Sequence, residues 1–178
     1  MTKTRTHINT KNQLVPELRF KEFKDKVEET CFGDHFIFHS TNSFSRDKLN
    51  YSEGTVKNIH YGDIHTKFKT HFYLKEEYVP FINPDVDLDK IKKESFCKVG
   101  DLVIADASED YADIGKSIEI IELNEEKILA GLHTFLARPI TKDTAVGYIS
   151  FLLKTWKLRK QIMTIAQGAK VLGLSRGR

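Results

Sequence analysis

The stretch NIHYGDIHTKF, residues 58–68, gathers His60, Tyr61, His65, Lys67 and Phe68 around a Gly-Asp pair. Imidazoles, rings and amines at that density suit three chemistries: a metal site, a catalytic histidine pair, or a surface facing nucleic acid. The metal reading fails on spacing. Zinc needs three or four ligands converging in tetrahedral geometry, and His60 and His65 have no nearby third ligand of clear type. His35 and His39 are separated by Phe36, Ile37 and Phe38, which read as strand rather than helix. Catalysis also lacks its parts: there is no serine elbow, Cys-His signature or paired-carboxylate motif. YADIGKS, residues 111–117, ends like a phosphate loop, but that motif requires a glycine where Asp110 stands. Lys116 therefore reads as a solvated or phosphate-contacting lysine. Nucleic-acid binding survives. Over residues 40–75, Arg46, Lys48, Lys57, Lys67, Lys69 and Lys75 interleave with Phe44, Tyr51, Tyr61 and Phe68. Lysine and arginine hold phosphates, while Asn, Ser, His and Tyr side chains address base edges. The bland alternative is a polar loop laid over a sheet.

The rest of the chain must position these residues. A length of 178 residues suits one domain with a real core, and 40% apolar with 30% charged residues is globular composition. No apolar run is long enough to span a membrane. Residues 1–13 are polar, lack the apolar block of a secretory signal, and read as a flexible leader. Cys31 and Cys97 form no zinc pattern and are expected as buried free thiols in a reducing cytoplasm. The net charge of +3 hides an asymmetry. Glu76 to Ala130 holds fifteen acidic and six basic residues, whereas Thr144 to Arg178 holds seven basic residues and no acid. Polyanion-binding proteins often segregate charge in this way, although the two regions could simply neutralise each other.

Pro16 opens PELRFKEFKDKVEET, where Leu18, Phe20, Phe23 and Val27 suit a packed arm and short helix. Residues 61–64 suggest a turn feeding a strand, and residues 76–95, with Pro80 and Pro84, suggest loop with a short helical turn. CKVGDLVIADAS is the clearest strand, with KSIEIIEL and KILAGLHTFLARP also β-like. Thr144 can cap a final helix running to Gln167 and stopping at Gly168. Ile149, Leu152, Leu153, Trp156 and Met163 give that helix an apolar stripe, and Lys154, Lys157 and Lys160 a basic flank. The sum is an α+β domain over residues 14–178, with strands in the middle and a long C-terminal helix.

Taken together, PELRFKEF, SFSRDKLNY, GTVKNIHYGDIHTKF, GDLVIADASEDYADIGKS, GLHTFLARP and AQGAKVLGLSRG resemble, in order, the target-recognition domain of type I restriction–modification specificity subunits. The resemblance runs from about Pro16 to the C-terminus. It implies a domain built on a mixed, twisted β-sheet, without catalysis, metal or cofactor of its own, that reads one half of a split DNA site. It further implies methyltransferase subunits that methylate adenine using S-adenosylmethionine, and a motor subunit that uses ATP and Mg to translocate and cut DNA. On that basis Ser43, Ser45, Arg46, Asn50, Tyr51, Lys57, His60, His65, Lys67 and Lys116 are the expected DNA-facing residues. Gly62 and Asp63 are expected to shape a turn, with Asp63 bonding backbone amides. Gln167, Gly168, Ala169 and Lys170 are similar to the family's glycine-containing loop after the last domain helix, expected to approach the DNA backbone. A full subunit is more than twice as long, with a spacer helix and a second recognition domain. A single domain is expected either as an excised piece of such a subunit or as a truncated half-subunit, two copies of which could pair. The competing expectation is a protein-interaction domain that docks through the helix 144–167.

Overall fold

The computed structural model describes residues 20–22, 24 and 30–176. The chain divides into two units, Met1–Asp34 and His35–Arg178. The leader expected over residues 1–13, and most of the arm expected from Pro16, lie outside the described residues. Asp34 Oδ2 accepts the Cys31 N–H at 3.3 Å, at the start of the single helical turn α1, Phe32–His35. Cys31 is exposed and Cys97 buried, so the expectation of two buried thiols holds for Cys97 alone.

The second unit is α+β. Its strands are β1 Phe36–His39, β2 Leu49–Asn50, β3 Val56–Ile59, β4 His71–Tyr73, β5 Phe81–Ile82, β6 Leu102–Ala105, β7 Ala107–Ser108, β8 Ser117–Glu122, β9 Lys127–Ala130, β10 Thr134–Pro139 and β11 Leu172–Gly173. Its helices are α2 Tyr61–Thr66, α3 Tyr148–Leu152 and α4 Trp156–Ile165. One mixed sheet has the order β1-β10-β6-β8-β4, in which only the β4–β8 pair is parallel. A second has the order β2-β5-β3-β9, with β3 and β9 parallel. β7 and β11 form a two-stranded ribbon.

Burial explains why the strongest sequence signals became central strands. Leu102 to Ala105 of β6 are all buried, as a continuous apolar run requires in a strand covered on both faces. Side chains alternate across a strand, and β9 uses both directions: Ile128 and Leu129 belong to different clusters. Ile128 and Ile59 from the four-stranded sheet join Phe72, Val103, Ile118 and Leu136 from the five-stranded sheet in one core, together with Ile64 of α2. Leu129, Val56 and Ile82 form the second core beneath Phe44, Leu49, Leu88 and Phe96. Gly131, after β9, lies so close to β3 that a Cβ there would sit 2.5 Å from Asn58 Nδ2.

The C-terminal region departs from the expected single helix. Thr155 is extended (φ −63°, ψ 145°), and its hydroxyl donates to the Leu152 carbonyl at 2.7 Å, ending α3 before α4 begins. Thr144 does not start the element. Glu119, buried in β8, accepts the Gly147 N–H at 2.6 Å and the Ser150 N–H at 3.0 Å, and this carboxylate caps α3. Gly147 has φ +94°, and a Cβ there would meet the His71 ring at 2.9 Å. At the other end α4 stops at Ile165 rather than at Gly168, because Ala166 is already extended. Of the expected apolar stripe, Leu153 is buried, Ile149, Leu152 and Met163 are half-buried, and Trp156 is 70% exposed.

A buried ion pair ties the sheet to a preceding turn. Arg138 on β10 donates through Nε and Nη2 to Asp101 at 2.9 and 2.7 Å, and Nη2 also reaches the Phe96 carbonyl at 2.8 Å. Asp101 is 1% exposed, so removing its partner strands a charge away from water. Arg138→Ala is expected to cost about 3–5 kcal/mol of unfolding free energy, measured by urea titration; a loss below about 1 kcal/mol, the scale of an exposed pair, would contradict this role.

Candidate nucleic-acid interface

β3 ends at Ile59, and His60 follows in extended conformation (φ −94°, ψ 139°) with Nδ1 accepting the Gly62 N–H at 3.1 Å. His60 is thus the N-cap of α2. The expected turn at residues 61–64 is a helix, because Ile64 and Phe68, four residues apart, both turn into the core. Asp63 lies on this helix with no solvent exposure. Arg46, in the turn before β2, donates to it in a fork, Nη1 to Oδ2 at 2.9 Å and Nη2 to Oδ1 at 2.8 Å. Lys67 Nζ, one helical turn on, lies 2.9 Å from Oδ1. Burial opposes ionisation of Asp63, but the hydrogen bonds from Arg46 and Lys67 outweigh it and hold the carboxyl below its usual range. The same bonds from Asp63 raise both cations. Asp63 therefore anchors side chains instead of bonding the backbone amides of a turn.

The cations remain at the surface: the Arg46 and Lys67 side chains are 47% and 49% exposed. Lys67 Nζ also reaches the Tyr51 hydroxyl at 3.3 Å and lies 5.7 Å from the centre of its ring. Tyr51 in turn stacks on Tyr78, with centroids 4.4 Å apart and planes 16° apart, and Tyr78 is 70% exposed. Two cations, one buried carboxylate and a ring pair form a continuous patch of net positive charge. Arginine fixed in this way has lost its rotamer freedom before any ligand arrives.

The structure brings Arg46, Tyr51 and Lys67 together but distributes the other expected residues differently. Ser43 is exposed, and the exposed Ser45 hydroxyl bonds Asp47. Asn50 builds its own loop: Oδ1 accepts from Ser52 N and Glu53 N, both at 2.9 Å, and Nδ2 donates to Asn83 Oδ1 at 2.9 Å. Lys57 pairs with Glu126 at 2.7 Å over the Phe81 ring and is only 16% exposed. His60, at 7% exposure, is a structural cap rather than a surface ligand. His65 Nε2 donates to the Ala107 carbonyl at 3.0 Å, and Lys116 Nζ donates to the His65 carbonyl at 2.5 Å. Gln167 exchanges backbone bonds with Gly173 at 2.7 and 3.0 Å, which closes the loop carrying Gly168, Ala169 and Lys170. A Cβ on Gly168 would lie 1.9 Å from the Val171 carbonyl oxygen, so this glycine serves the loop's own closure.

No protein-family model matches the sequence, and neither does any curated protein. The chain is similar to a solved type I restriction–modification system S subunit. That chain, from M. genitalium, shares 8% identity at a TM-score of 0.45, with 81% of this chain and 30% of that one covered. This chain thus spans well under half the length of that subunit. At this identity no residue role passes from one chain to the other.

Sequence reading missed Tyr78 and the anchoring role of Asp63. The Asp63–Lys67 spacing is a helical i,i+4 pair and was legible once α2 was recognised; Arg46 and Tyr78 come from distant segments and left no local signal. Among the described residues, no group of three or more His, Cys, Asp or Glu is placed to hold a metal, and no helix is long and apolar enough to cross a membrane.

The His60 cap carries a pH dependence. Burial first, and then the Arg46 charge, lower its pKa to about 4. In the unfolded chain a histidine titrates near about 6.5, so between these values the unfolded state binds the extra proton. Stability is full above about pH 6.5 and falls as pH drops toward 4, by up to about 3 kcal/mol. Asp63, with its lowered pKa, adds a loss only below the ordinary carboxylate range. His60→Asn keeps a good N-cap without a titrating group and is expected to flatten the denaturation free energy between pH 6.5 and 4; an unchanged pH slope would contradict the assignment.

Proposed function

We propose that this chain is a DNA-recognition domain of the type I specificity class, which reads one half of a bipartite duplex site and directs adenine methylation and cleavage by partner subunits. The carrying observation is the buried Asp63 carboxylate, which holds the Arg46 fork and the Lys67 ammonium at the surface beside the stacked Tyr51–Tyr78 pair. An arginine guanidinium carries five N–H groups in one plane, and a guanine edge presents O6 and N7 as acceptors for such donors. Asp63 occupies two of those N–H groups and leaves the rest of the planar guanidinium for a second acceptor. The segment resemblance supports the same reading, since SFSRDKLNY and YGDIHTKF supply Arg46, Tyr51 and Lys67. In this proposal Ser43, Ser45, Lys116, Gly168 and Lys170 lie along the DNA path. The domain uses no cofactor of its own and acts in the cytoplasm. S-adenosylmethionine, ATP and Mg serve the methyltransferase and motor partners, and two copies of the chain can together supply two half-sites.

A second reading, docking to a protein partner through residues 144–167, is favoured by Tyr148, Phe151 and Trp156, which are 57%, 53% and 70% exposed. Exposed large apolar residues, where they join into one patch, mark interaction sites. Added duplex DNA would leave such docking untouched.

Fluorescence anisotropy on labelled duplexes across a salt series tests the proposal. Arg46→Ala is expected to cost about 1–3 kcal/mol on the preferred sequence and to relax one base position. Lys157→Ala is expected to weaken all sequences alike and to flatten the slope of log K against log salt by about one unit. Binding by both variants that matches the parent at every salt concentration would overturn the assignment.

A further inference from the structure

A second group of cations is built from other side chains than the Asp63 patch. The turn before β8 and the α3–α4 junction enclose a cleft of about 260 Å³, lined by Asp113, Gly115, Lys116, Ser117, Lys154 and Arg159 among others. Three of these side chains are cations and one is a carboxylate. Their bonds go mainly to neutral acceptors. Arg159 Nη2 donates to the carbonyls of Tyr111 and Ala112 at 3.2 and 3.0 Å, Lys154 Nζ bonds the Thr70 hydroxyl, and Lys116 Nζ bonds the His65 carbonyl at 2.5 Å. The nearest approach to an anion is Lys116 Nζ to Asp113 Oδ1 at 3.6 Å. Half-buried Arg159 consequently has more desolvation than Asp113 offsets, and its pKa is lowered for that reason.

A half-buried guanidinium held by carbonyls, with two ammonium groups on the same cleft, is a charge distribution completed by an anion. The cleft volume exceeds that of several waters at roughly 30 Å³ each, so a tetrahedral oxyanion fits with part of its hydration. The Gly115-Lys116-Ser117 sequence lines the floor, but its backbone is not a phosphate-cradling loop. The amides of Gly115 and Lys116 are spent on the carbonyls of Ala105 and Asp113 at 3.1 and 2.9 Å. Any grip on an anion must come from the side chains. Gly115 (φ +69°) leaves room for α4 instead, since a Cβ there would lie 2.6 Å from Ile162 Cγ2.

We infer that this cleft is a phosphate-binding site, gripped by Lys116, Lys154 and Arg159. Resting on the function proposed above, the phosphate belongs to the backbone of the bound duplex, and the cleft fixes the position of the DNA without reading its sequence.

The test has two arms, both on the full chain. In the first, sodium phosphate is titrated against sodium chloride at equal ionic strength while backbone amide shifts are followed. Phosphate-specific shifts clustered at residues 112–117 and 153–159, weakened at least tenfold in Lys116→Gln/Lys154→Gln and retained in Arg159→Lys, are expected. Shifts that are absent, scattered, or unchanged in the double variant overturn the site. The second arm measures duplex binding across salt. A salt slope about one unit shallower in the double variant supports a backbone phosphate. An unchanged slope beside lost phosphate binding overturns the DNA source and assigns the cleft to a free phosphate. Failure of the parent to bind any duplex sinks the recognition function while the first arm still decides the site.

Discussion

A carboxylate with no access to water must be compensated within the protein, and Asp63 imposes that condition on everything around it. Its position on α2 requires Arg46 to approach from a segment seventeen residues earlier, and Lys67 to follow one turn later on the same helix. The turn carrying Arg46 runs directly into β2, so compensating the buried charge also fixes where the four-stranded sheet begins. His60 at the helix start and Phe68 just past its end complete the arrangement. The cationic patch is therefore not decoration on a finished fold. Its two cations are present because the fold buries an acid beneath them.

The same device recurs twice. Asp101, 1% exposed, is held by Arg138 and by the Lys98 amide at 2.8 Å, which locks the turn before β6 to β10. Glu119, 3% exposed, takes two amides at the start of α3 and ties the C-terminal helices to β8. In each case a buried acid on or beside the sheet is satisfied by donors from another segment, the Arg138 side chain of β10 for Asp101 and two amides at the start of α3 for Glu119. Such pairings contribute modestly to net stability compared with apolar packing, yet they are costly to disrupt, so they act through placement. Loops that need a defined path are thereby set by charge, while strands are set by apolar burial.

This division explains which features were legible in the sequence. CKVGDLVIADAS, KSIEIIEL and KILAGLHTFLARP announced β6, β8, β9 and β10, because burial writes itself as a continuous apolar run in β6 and as clustered β-branched and apolar residues in the others. The α+β class followed from them. The helix α2 was missed because a six-residue helix capped by histidine shows almost no periodicity. The long final helix was overcalled: residues 144–167 have helical spacing throughout, but the break depends on one threonine hydroxyl and the start on Glu119 in a strand far away in sequence. Arg46, Tyr51 and Lys67 were recognised by residue type, whereas their convergence required the long-range contact through Asp63. His60 and Lys57 were of the right type but committed elsewhere, to a backbone amide and to Glu126. Residue type suggested the chemistry; the partners of each residue decided which side chains were available for it.

In the proposed function, the Asp63-anchored surface recognises a base sequence in duplex DNA. Selection of bound fragments from a randomised duplex pool at low salt, followed by sequencing, addresses it most directly. A short, half-site-sized motif is expected from the parent chain, with one position lost when Arg46 is replaced. Bound fragments without any common motif, or no bound fragments at all, would contradict it.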